Sequence, residues 1–203
     1  MVRPGTYTEQ LTIPWISGAS SSQIIFRAEN GDSSSVILQF DPTTTNKHVV
    51  RFNNAAGITW ERMTINALGT DFGRVFQFDV NSFNNTIQHC AINGINTSST
   101  SNSFSCIYAD NSFSDNLIRH NTIKNGSYGI QHAFSSNNKK SFEVRSNRIE
   151  NFSSMGLQFP NVSGLQVHGN TIISAKNNVV GIEVAGDNDT LDISSNKIEL
   201  SSG

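Results

Sequence analysis

The feature that most constrains this chain is a phrase that recurs at intervals close to 26 residues. The stretch "RHNTIKNGSYGI" begins at Arg119, and a near copy, "RSNRIENFSSMGL", begins at Arg145. Six such segments align on a final isoleucine, with spacings of 27, 31, 26, 23 and 26 residues, at Ile65, Ile92, Ile123, Ile149, Ile172 and Ile198. A repeat of this length indicates an array of similar units, each of which needs its neighbours to bury its apolar face.

Each unit consists of short strands. Apolar and polar residues alternate within the aligned segments, which is the period of a β-strand and not of a helix. Another apolar residue stands five positions before each final isoleucine, at Trp60, Ile87, Ile118, Val144, Val167 and Ile193. A second strand follows a variable loop in successive units, at 75–79, 107–110, 129–133, 156–159 and 181–185. No long crossover helix is available between these strands.

These units predict an all-β protein, a right-handed parallel β-helix (solenoid) of about 7–9 coils, in which one unit is one coil. Equivalent strands then stack about 4.8 Å apart, and the isoleucines of successive coils form inward ladders. Four coils also share an asparagine two positions before the final isoleucine, at Asn121, Asn147, Asn170 and Asn196. We interpret these residues as a ladder at a tight turn, because asparagine tolerates left-handed backbone and its amide both donates and accepts.

The whole chain, residues 1–203, is expected to be a single β-helix domain. Irregular N-terminal coils occupy 1–57 and regular repeats occupy 58–200, with no linker or shift in composition between them. The chain stops within a repeat, at "NKIELSSG". Solenoids need caps, so we expect a fragment open at one or both ends, with further domains in the parent chain. A complete protein that caps itself by self-association is the alternative.

Composition excludes several classes of partner. The formal net charge is −2 and charged residues make up 15% of the chain, so we expect no nucleic-acid partner. No apolar stretch reaches about 18 residues, so we expect no membrane span. The five histidines are not spaced as metal ligands, and we expect neither a metal nor another cofactor. We interpret Cys90 and Cys106 as buried free thiols, because two cysteines do not make a disulfide framework, and one disulfide between them is the alternative.

The repeat resembles that of a known superfamily. The pattern N-x-I-x-x-N-x-I, followed by G-I, in "NLIRHNTIKNGSYGI" is similar to the parallel β-helix repeat of pectin-lyase-like proteins, and "RPGTYTEQLTI" resembles their opening phrase. The resemblance covers roughly residues 3–200 and implies the fold and an extracellular or cell-surface location. It does not fix an activity, because the superfamily includes lyases, hydrolases, esterases, phage tailspikes and non-catalytic surface proteins.

The resemblance also implies where a ligand would lie. In this superfamily the sheet built from the second strands, with its flanking loops, tends to carry the substrate groove. Alternation places five residues on the outward face of that sheet: Gln77, Tyr108, Gln131, Gln158 and Glu183. Amides bond sugar hydroxyls and a tyrosine stacks on a sugar ring, so we expect this row to bind a glycan. A solvated sheet face with side-chain ladders is the alternative.

The first strand of each unit offers two arginines. Arg119 and Arg145 are predicted to lie one coil apart on the outward face, where they could grip a uronate carboxylate. Glu143 stands two residues before Arg145 on the same strand. This spacing predicts a surface ion pair between them.

Asp79 and Asp110 are weak candidates for catalytic carboxylates. They end equivalent strands and are expected on neighbouring coils about 5 Å apart, near the separation of a retaining glycosidase pair. A solvated turn pair is the alternative. An enzyme would need loops such as 66–74 and 93–105 to form walls around them. The motif of polygalacturonase-like members is absent, since "VHGN" at 167–170 lacks both the first glycine and the aspartate pair.

The sequence therefore favours a non-catalytic β-helix module of an exported or cell-surface bacterial protein, which contacts a polysaccharide along its outward sheet face. One alternative is a fragment of a pectin-lyase-like polysaccharide lyase or glycoside hydrolase. The other is a purely structural repeat segment. Missing catalytic motifs favour the first interpretation, while enzymatic activity stays open.

Overall fold

The structure, a computed structural model, describes residues 1–79, 81–110, 114–133, 141–186 and 189–201. Within these ranges the chain is almost entirely β, and the one helical segment is a 3-10 turn at Asn102–Phe104. The strands, in chain order, are β1 (Gly5–Thr8), β2 (Leu11–Ile13), β3 (Ile24–Arg27), β4 (Val36–Phe40), β5 (His48–Phe52), β6 (Ile58–Glu61), β7 (Thr64–Ala67), β8 (Arg74–Phe78), β9 (Thr86–Gln88), β10 (Ala91–Asn93), β11 (Ile107–Ala109), β12 (Asn116–Arg119), β13 (Thr122–Lys124), β14 (Tyr128–His132), β15 (Phe142–Arg145), β16 (Arg148–Glu150), β17 (Met155–Pro160), β18 (Leu165–His168), β19 (Thr171–Ser174), β20 (Val180–Ala185), β21 (Asp192–Ser194) and β22 (Lys197–Leu200).

The strands are shared among three parallel sheets in strict rotation along the chain. Sheet 1 has the order β1-β4-β7-β10-β13-β16-β19-β22, sheet 2 the order β2-β5-β8-β11-β14-β17-β20, and sheet 3 the order β3-β6-β9-β12-β15-β18-β21. Each strand pairs with the strand three places later in the chain, so three strands complete one coil. The described strands make seven coils, and β22 begins an eighth. This arrangement confirms the predicted parallel β-helix fold and its size.

Aliphatic ladders fill the interior. Ile123 pairs in register with Ile149, and Ile149 with Ile172, and all three are completely buried. Each such side chain contributes about 1.5–3 kcal/mol through burial. In the last described coil the equivalent Ile198 is 46% exposed. The contrast shows that each coil depends on the next to bury its apolar face.

The aligned segments of the repeat are two strands and not one. A bend of two residues separates sheet 3 from sheet 1 in six coils, at 62–63, 89–90, 120–121, 146–147, 169–170 and 195–196. The first residue of each bend is left-handed, for example His120 with φ 54° and Ser146 with φ 54°. The interpretation that the asparagine itself takes this conformation is wrong, because the residue before it does. The bend explains how two inward residues stand five positions apart, which one straight strand does not allow.

The asparagine ladder satisfies buried backbone groups along the bend. Asn147 is 2% exposed, and its Oδ1 accepts from the backbone N–H and the Nδ2 of Asn121, both at 3.0 Å. Its Nδ2 donates to the backbone oxygen of Ile118 at 2.8 Å and to Oδ1 of Asn170 at 3.0 Å. The pattern repeats from coil to coil, with Asn121 accepting from the N–H of Cys90 at 2.9 Å. The ladder thus pairs polar groups that the turn would otherwise leave without partners.

The two cysteines are free and buried, as predicted. Burial raises the pKa of Cys90 and of Cys106 to about 12. In the described part of the chain, no helix has the length and apolarity to cross a membrane.

Candidate functional site

The outward face of sheet 2 carries the predicted row of polar residues. Pairing in register joins Gln77 to Tyr108, Tyr108 to Gln131, Gln131 to Gln158 and Gln158 to Glu183. The row continues toward the N-terminus through Arg51, which pairs with Gln77, and Thr12, which pairs with Arg51. We call these seven residues the sheet 2 row. The prediction omitted its first two members because the N-terminal coils do not follow the repeat.

Much of the row is bonded to itself. Ser105 Oγ donates to Gln131 Oε1 at 2.7 Å, and Gln131 Nε2 donates to Gln158 Oε1 at 2.8 Å. Gln158 Nε2 then donates to Glu183 Oε2 at 2.6 Å. The chain of amides therefore ends on a carboxylate, which strengthens each bond along it. Within the described residues, the half-buried Gln158 keeps one further N–H and one further lone pair, while Gln131 is only 7% exposed.

Tyr108 does not offer a free platform for a sugar ring. Only 9% of the residue is exposed, and the guanidinium of Arg74 lies 3.5 Å from the ring centroid. This contact is a cation–π interaction that covers one face of the ring. Burial raises the pKa of the Tyr108 hydroxyl above its ordinary value. The expected stacking on a sugar therefore has no open ring face to use.

Arg74 is a buried cation at the amino end of sheet 2. It is 8% exposed, and burial lowers its pKa. Its Nε donates to the backbone oxygen of Asn102 at 3.2 Å and its Nη1 donates to Gln77 Oε1 at 3.1 Å. Sequence reasoning missed this residue, because it stands one position before the apolar alternation of β8.

Asp79 and Asp110 lie at equivalent positions on neighbouring coils, as predicted. Their backbone N–H groups donate to the preceding coils, Asp79 to Phe52 and Asp110 to Phe78, each at 2.9 Å. The Asp79 carboxylate is already engaged: Arg51 Nε donates to Oδ2 at 2.6 Å and Arg51 Nη2 contacts the same oxygen. Gln77 Nε2 donates to Oδ1 at 2.8 Å. Both oxygens of Asp79 thus hold structural bonds.

The loop at 94–106 lies along the amino ends of the sheet 2 strands. Its backbone oxygens accept from side chains of later coils: Ser99 from Ser153 Oγ at 2.5 Å, and Thr97 from Lys176 Nζ at 2.8 Å. Asn102 accepts from Arg74, as described above. Asp79 and Asp110 follow the opposite, carboxyl ends of these strands. The contacts of this loop thus place it on the side away from the two carboxylates.

The two predicted arginines lie on sheet 3, so they do not share a face with the sheet 2 row. Arg119 and Arg145 pair in register one coil apart, as expected. Arg119 Nε donates to Gln88 Oε1 at 2.7 Å. Arg145 Nη1 lies 3.0 Å from Glu143 Oε1, which confirms the predicted ion pair. The candidate residues therefore form two separate surfaces.

A cavity opens at the N-terminal half of the sheet 2 row. It has a volume of about 190 Å³ and is lined by Thr45, Lys47, His48, Arg51 and Gln77. We call it the Lys47 cavity. His48 is 7% exposed, and burial, with Arg51 as the next contributor, lowers its pKa to about 4. The His48 Nε2 atom is buried and has no hydrogen-bond partner within the described residues.

Among the described residues, no three His, Cys, Asp or Glu side chains come together as a metal site would require. Comparison with known proteins found no protein-family model, no curated protein and no solved structure that matches the chain. The three stacked parallel sheets show that the chain is a parallel β-helix solenoid.

Proposed function

We propose that this chain is a non-catalytic β-helix module of an exported or cell-surface bacterial protein, and that it contacts a glycan along the sheet 2 row. The repeat's resemblance to pectin-lyase-like proteins supports the location and the ligand class. The row itself supports the mode of contact, because its members stand at one spacing along a straight line.

One observation carries this proposal: seven outward residues keep register across all seven strands of sheet 2. Neighbouring members are about 4.8 Å apart, a spacing of the same order as the rise per sugar of an extended polysaccharide. A linear polymer laid along the row meets an amide, guanidinium or carboxylate at five of its seven members, Arg51, Gln77, Gln131, Gln158 and Glu183. Each of these groups can bond a hydroxyl.

A fragment of a polysaccharide lyase or glycoside hydrolase is the second candidate. The adjacent positions of Asp79 and Asp110 favour it, since paired carboxylates serve as acid and base in such enzymes. The bonds of Asp79 to Arg51 and Gln77 oppose it, because they occupy the oxygens that would take part in proton transfer. The amide chain from Gln131 to Glu183 favours the third candidate, a purely structural segment.

A glycan array combined with a reducing-end assay on polysaccharides tests the proposal. The variant removes two amides from the sheet 2 row, Gln77→Ala with Gln158→Ala. The matched control removes two amides from the outward face of sheet 1, Asn66→Ala with Asn93→Ala, which are joined by a similar bond of 2.8 Å. We expect the chain to bind a glycan without releasing reducing ends. This binding should be lost in the first double variant and kept in the control.

The outcomes separate the three candidates. Release of reducing ends that disappears in Asp110→Asn would establish the enzyme instead. Binding lost equally from both double variants would show that the effect is one of stability. Absence of any glycan binding by the folded chain would leave the structural role.

A further inference from the structure

A large aromatic side chain stands at the corner between sheets 2 and 3, which residues 14–23, 53–57 and 81–85 form in the first three coils. We call these three segments the Trp15 corner. Trp15 is 46% exposed. Its ring packs against Phe83, with the ring centroids 6.4 Å apart and the planes tilted by 34°. Contact with Phe83 thus covers part of the indole, and the exposed fraction leaves a broad part of its surface open to a ligand.

The second coil is shaped to let these two rings meet. Trp15 belongs to the first coil and Phe83 to the third, while the second coil carries the small residues Ala56 and Gly57 between them. Ala56 pairs with Phe83 in a parallel bridge. A Cβ added to Gly57 would collide with the backbone oxygen of Ala19, so the segment after Trp15 packs directly on this corner. The indole is therefore held against the solenoid by its own backbone.

Three exposed asparagines belong to the same corner, Asn54, Asn81 and Asn84. Asn54 lies one coil from Trp15, because each follows the paired ends of β2 and β5 by two residues. Asn81 and Asn84 stand on either side of Phe83 in the chain. Within the described residues, none of these three side chains makes a hydrogen bond. Each exposed amide therefore keeps its donors and its acceptor for a ligand.

An aromatic surface beside free amides suits a sugar better than a protein. Trp15 is the only exposed large hydrophobic residue at this corner within the described part of the chain. A stable protein interface covers about 800 Å² on each partner, far more than one indole provides. A pyranose ring instead stacks its apolar C–H face on one aromatic ring, and its hydroxyls bond amides. The segments of the Trp15 corner contain no charged residue, which favours a neutral sugar.

We propose that Trp15 is the stacking platform for a neutral pyranose ring of the glycan that contacts the sheet 2 row. Tyr108 lacks an open ring face because Arg74 covers it, so Trp15 supplies the aromatic contact that the row does not. Trp15 stands three residues after Thr12, a member of the row, and their Cα atoms are at most about 11 Å apart. A short oligosaccharide spans this distance. The inference rests on the proposed function, and it names a polysaccharide of neutral pyranoses as the ligand class.

The first experiment follows the indole N–H signals of the ¹⁵N-labelled chain by NMR. The probes are three neutral oligosaccharides: cellohexaose, xylohexaose and mannohexaose. The chain has two tryptophans, and Trp60, which is 2% exposed, serves as the internal control. We expect at least one hexaose to shift the Trp15 signal saturably while the Trp60 signal moves little. Equal shifts of both signals, or no saturable shift with any of the three hexaoses, would overturn the platform.

The second experiment measures the affinity for the best hexaose by isothermal titration calorimetry. Trp15→Ala should weaken binding about tenfold, while Trp15→Phe, which keeps a ring, should weaken it less than about threefold. Trp15→Leu keeps apolar bulk without a ring and should lose as much as the alanine variant. The matched control is Leu68→Ala, which removes a side chain of a residue that is 49% exposed at the corner between sheets 1 and 2, and it should leave the affinity unchanged. Leucine and phenylalanine variants of equal affinity would overturn stacking.

The double variant Gln77→Ala with Gln158→Ala separates this inference from the proposed function. Binding that survives Trp15→Ala but not the double variant would overturn the platform and keep the contact along the sheet 2 row. Binding that survives the double variant but not Trp15→Ala would keep a sugar site at the Trp15 corner and overturn the contact along the row. A folded chain that binds neither a hexaose nor any glycan of the array would overturn both.

Discussion

Replacement of Asn147 by alanine tests the contribution of the asparagine ladder to stability. The change removes the acceptor for the buried backbone N–H of Asn121 and the donor to the backbone oxygen of Ile118. Both residues are at most 2% exposed, so water cannot replace the lost partner. Each buried group left unpaired costs about 1–3 kcal/mol. Because two such groups lose their partners, we expect Asn147→Ala to lower the free energy of unfolding by about 4 kcal/mol.

Urea denaturation followed by far-UV circular dichroism measures this loss. The control is Asn93→Ala, which removes a half-buried amide on the outward face of sheet 1 and one bond to Asn66. Because water can reach both groups there, this control should lose less than about 1 kcal/mol. Equal losses in the two variants would refute the reasoning, since the inward ladder would then contribute no more than a surface amide pair.

Three further predictions concern the interior. In the same urea assay, Ile149→Ala should lower the free energy of unfolding by about 2–5 kcal/mol. Ile198→Ala changes a site that is 46% exposed and should lower it much less. Similar losses in the two variants would contradict the inward ladder. Burial lowers the pKa of His48 and His132 to about 4, below the ordinary value near 6.5, so the unfolded chain binds more protons between these values. The free energy of unfolding should therefore be highest above about pH 7 and fall by up to about 3 kcal/mol per histidine as the pH drops from about 6.5 to about 4. A urea midpoint that stays constant from pH 7 to 4 would contradict this prediction. The two buried thiols should react with an aromatic disulfide reagent only on unfolding, and rapid labelling of the native chain would show that they are accessible.

The repeat carried enough information to predict the fold. Ile123 and Ile149 recur at one place in the unit, and stacking of coils is the arrangement that buries both. The bend was less visible, because the left-handed residue varies in type between coils, from Arg62 to His120 and Ser146. Its signal was the spacing of five between inward residues, which is odd and cannot belong to one straight strand.

The candidate site could be predicted only in part. Alternation placed Gln77 and Gln158 on one row, because side-chain direction in a strand depends on local sequence alone. The covering of Tyr108 by Arg74 depends on contacts between neighbouring coils, and so does the pairing of Arg51 with Asp79. The Lys47 cavity also needs the loop before β5, whose path no repeat specifies.

The three corners of each coil differ in how much length they tolerate. The corner between sheet 3 and sheet 1 is eight residues long in the first coil, at 28–35, and two residues long in the other six, while the distance between equivalent isoleucines varies from 23 to 31 residues. All of this variation in length falls at the other two corners, and the neighbouring strands of sheet 1 stay in register. These two corners are therefore natural places for grafting foreign peptides, since several inserts could be displayed at defined heights along one rigid solenoid. An addition at the two-residue corner would disrupt the asparagine ladder in the coils that carry Asn121, Asn147, Asn170 and Asn196.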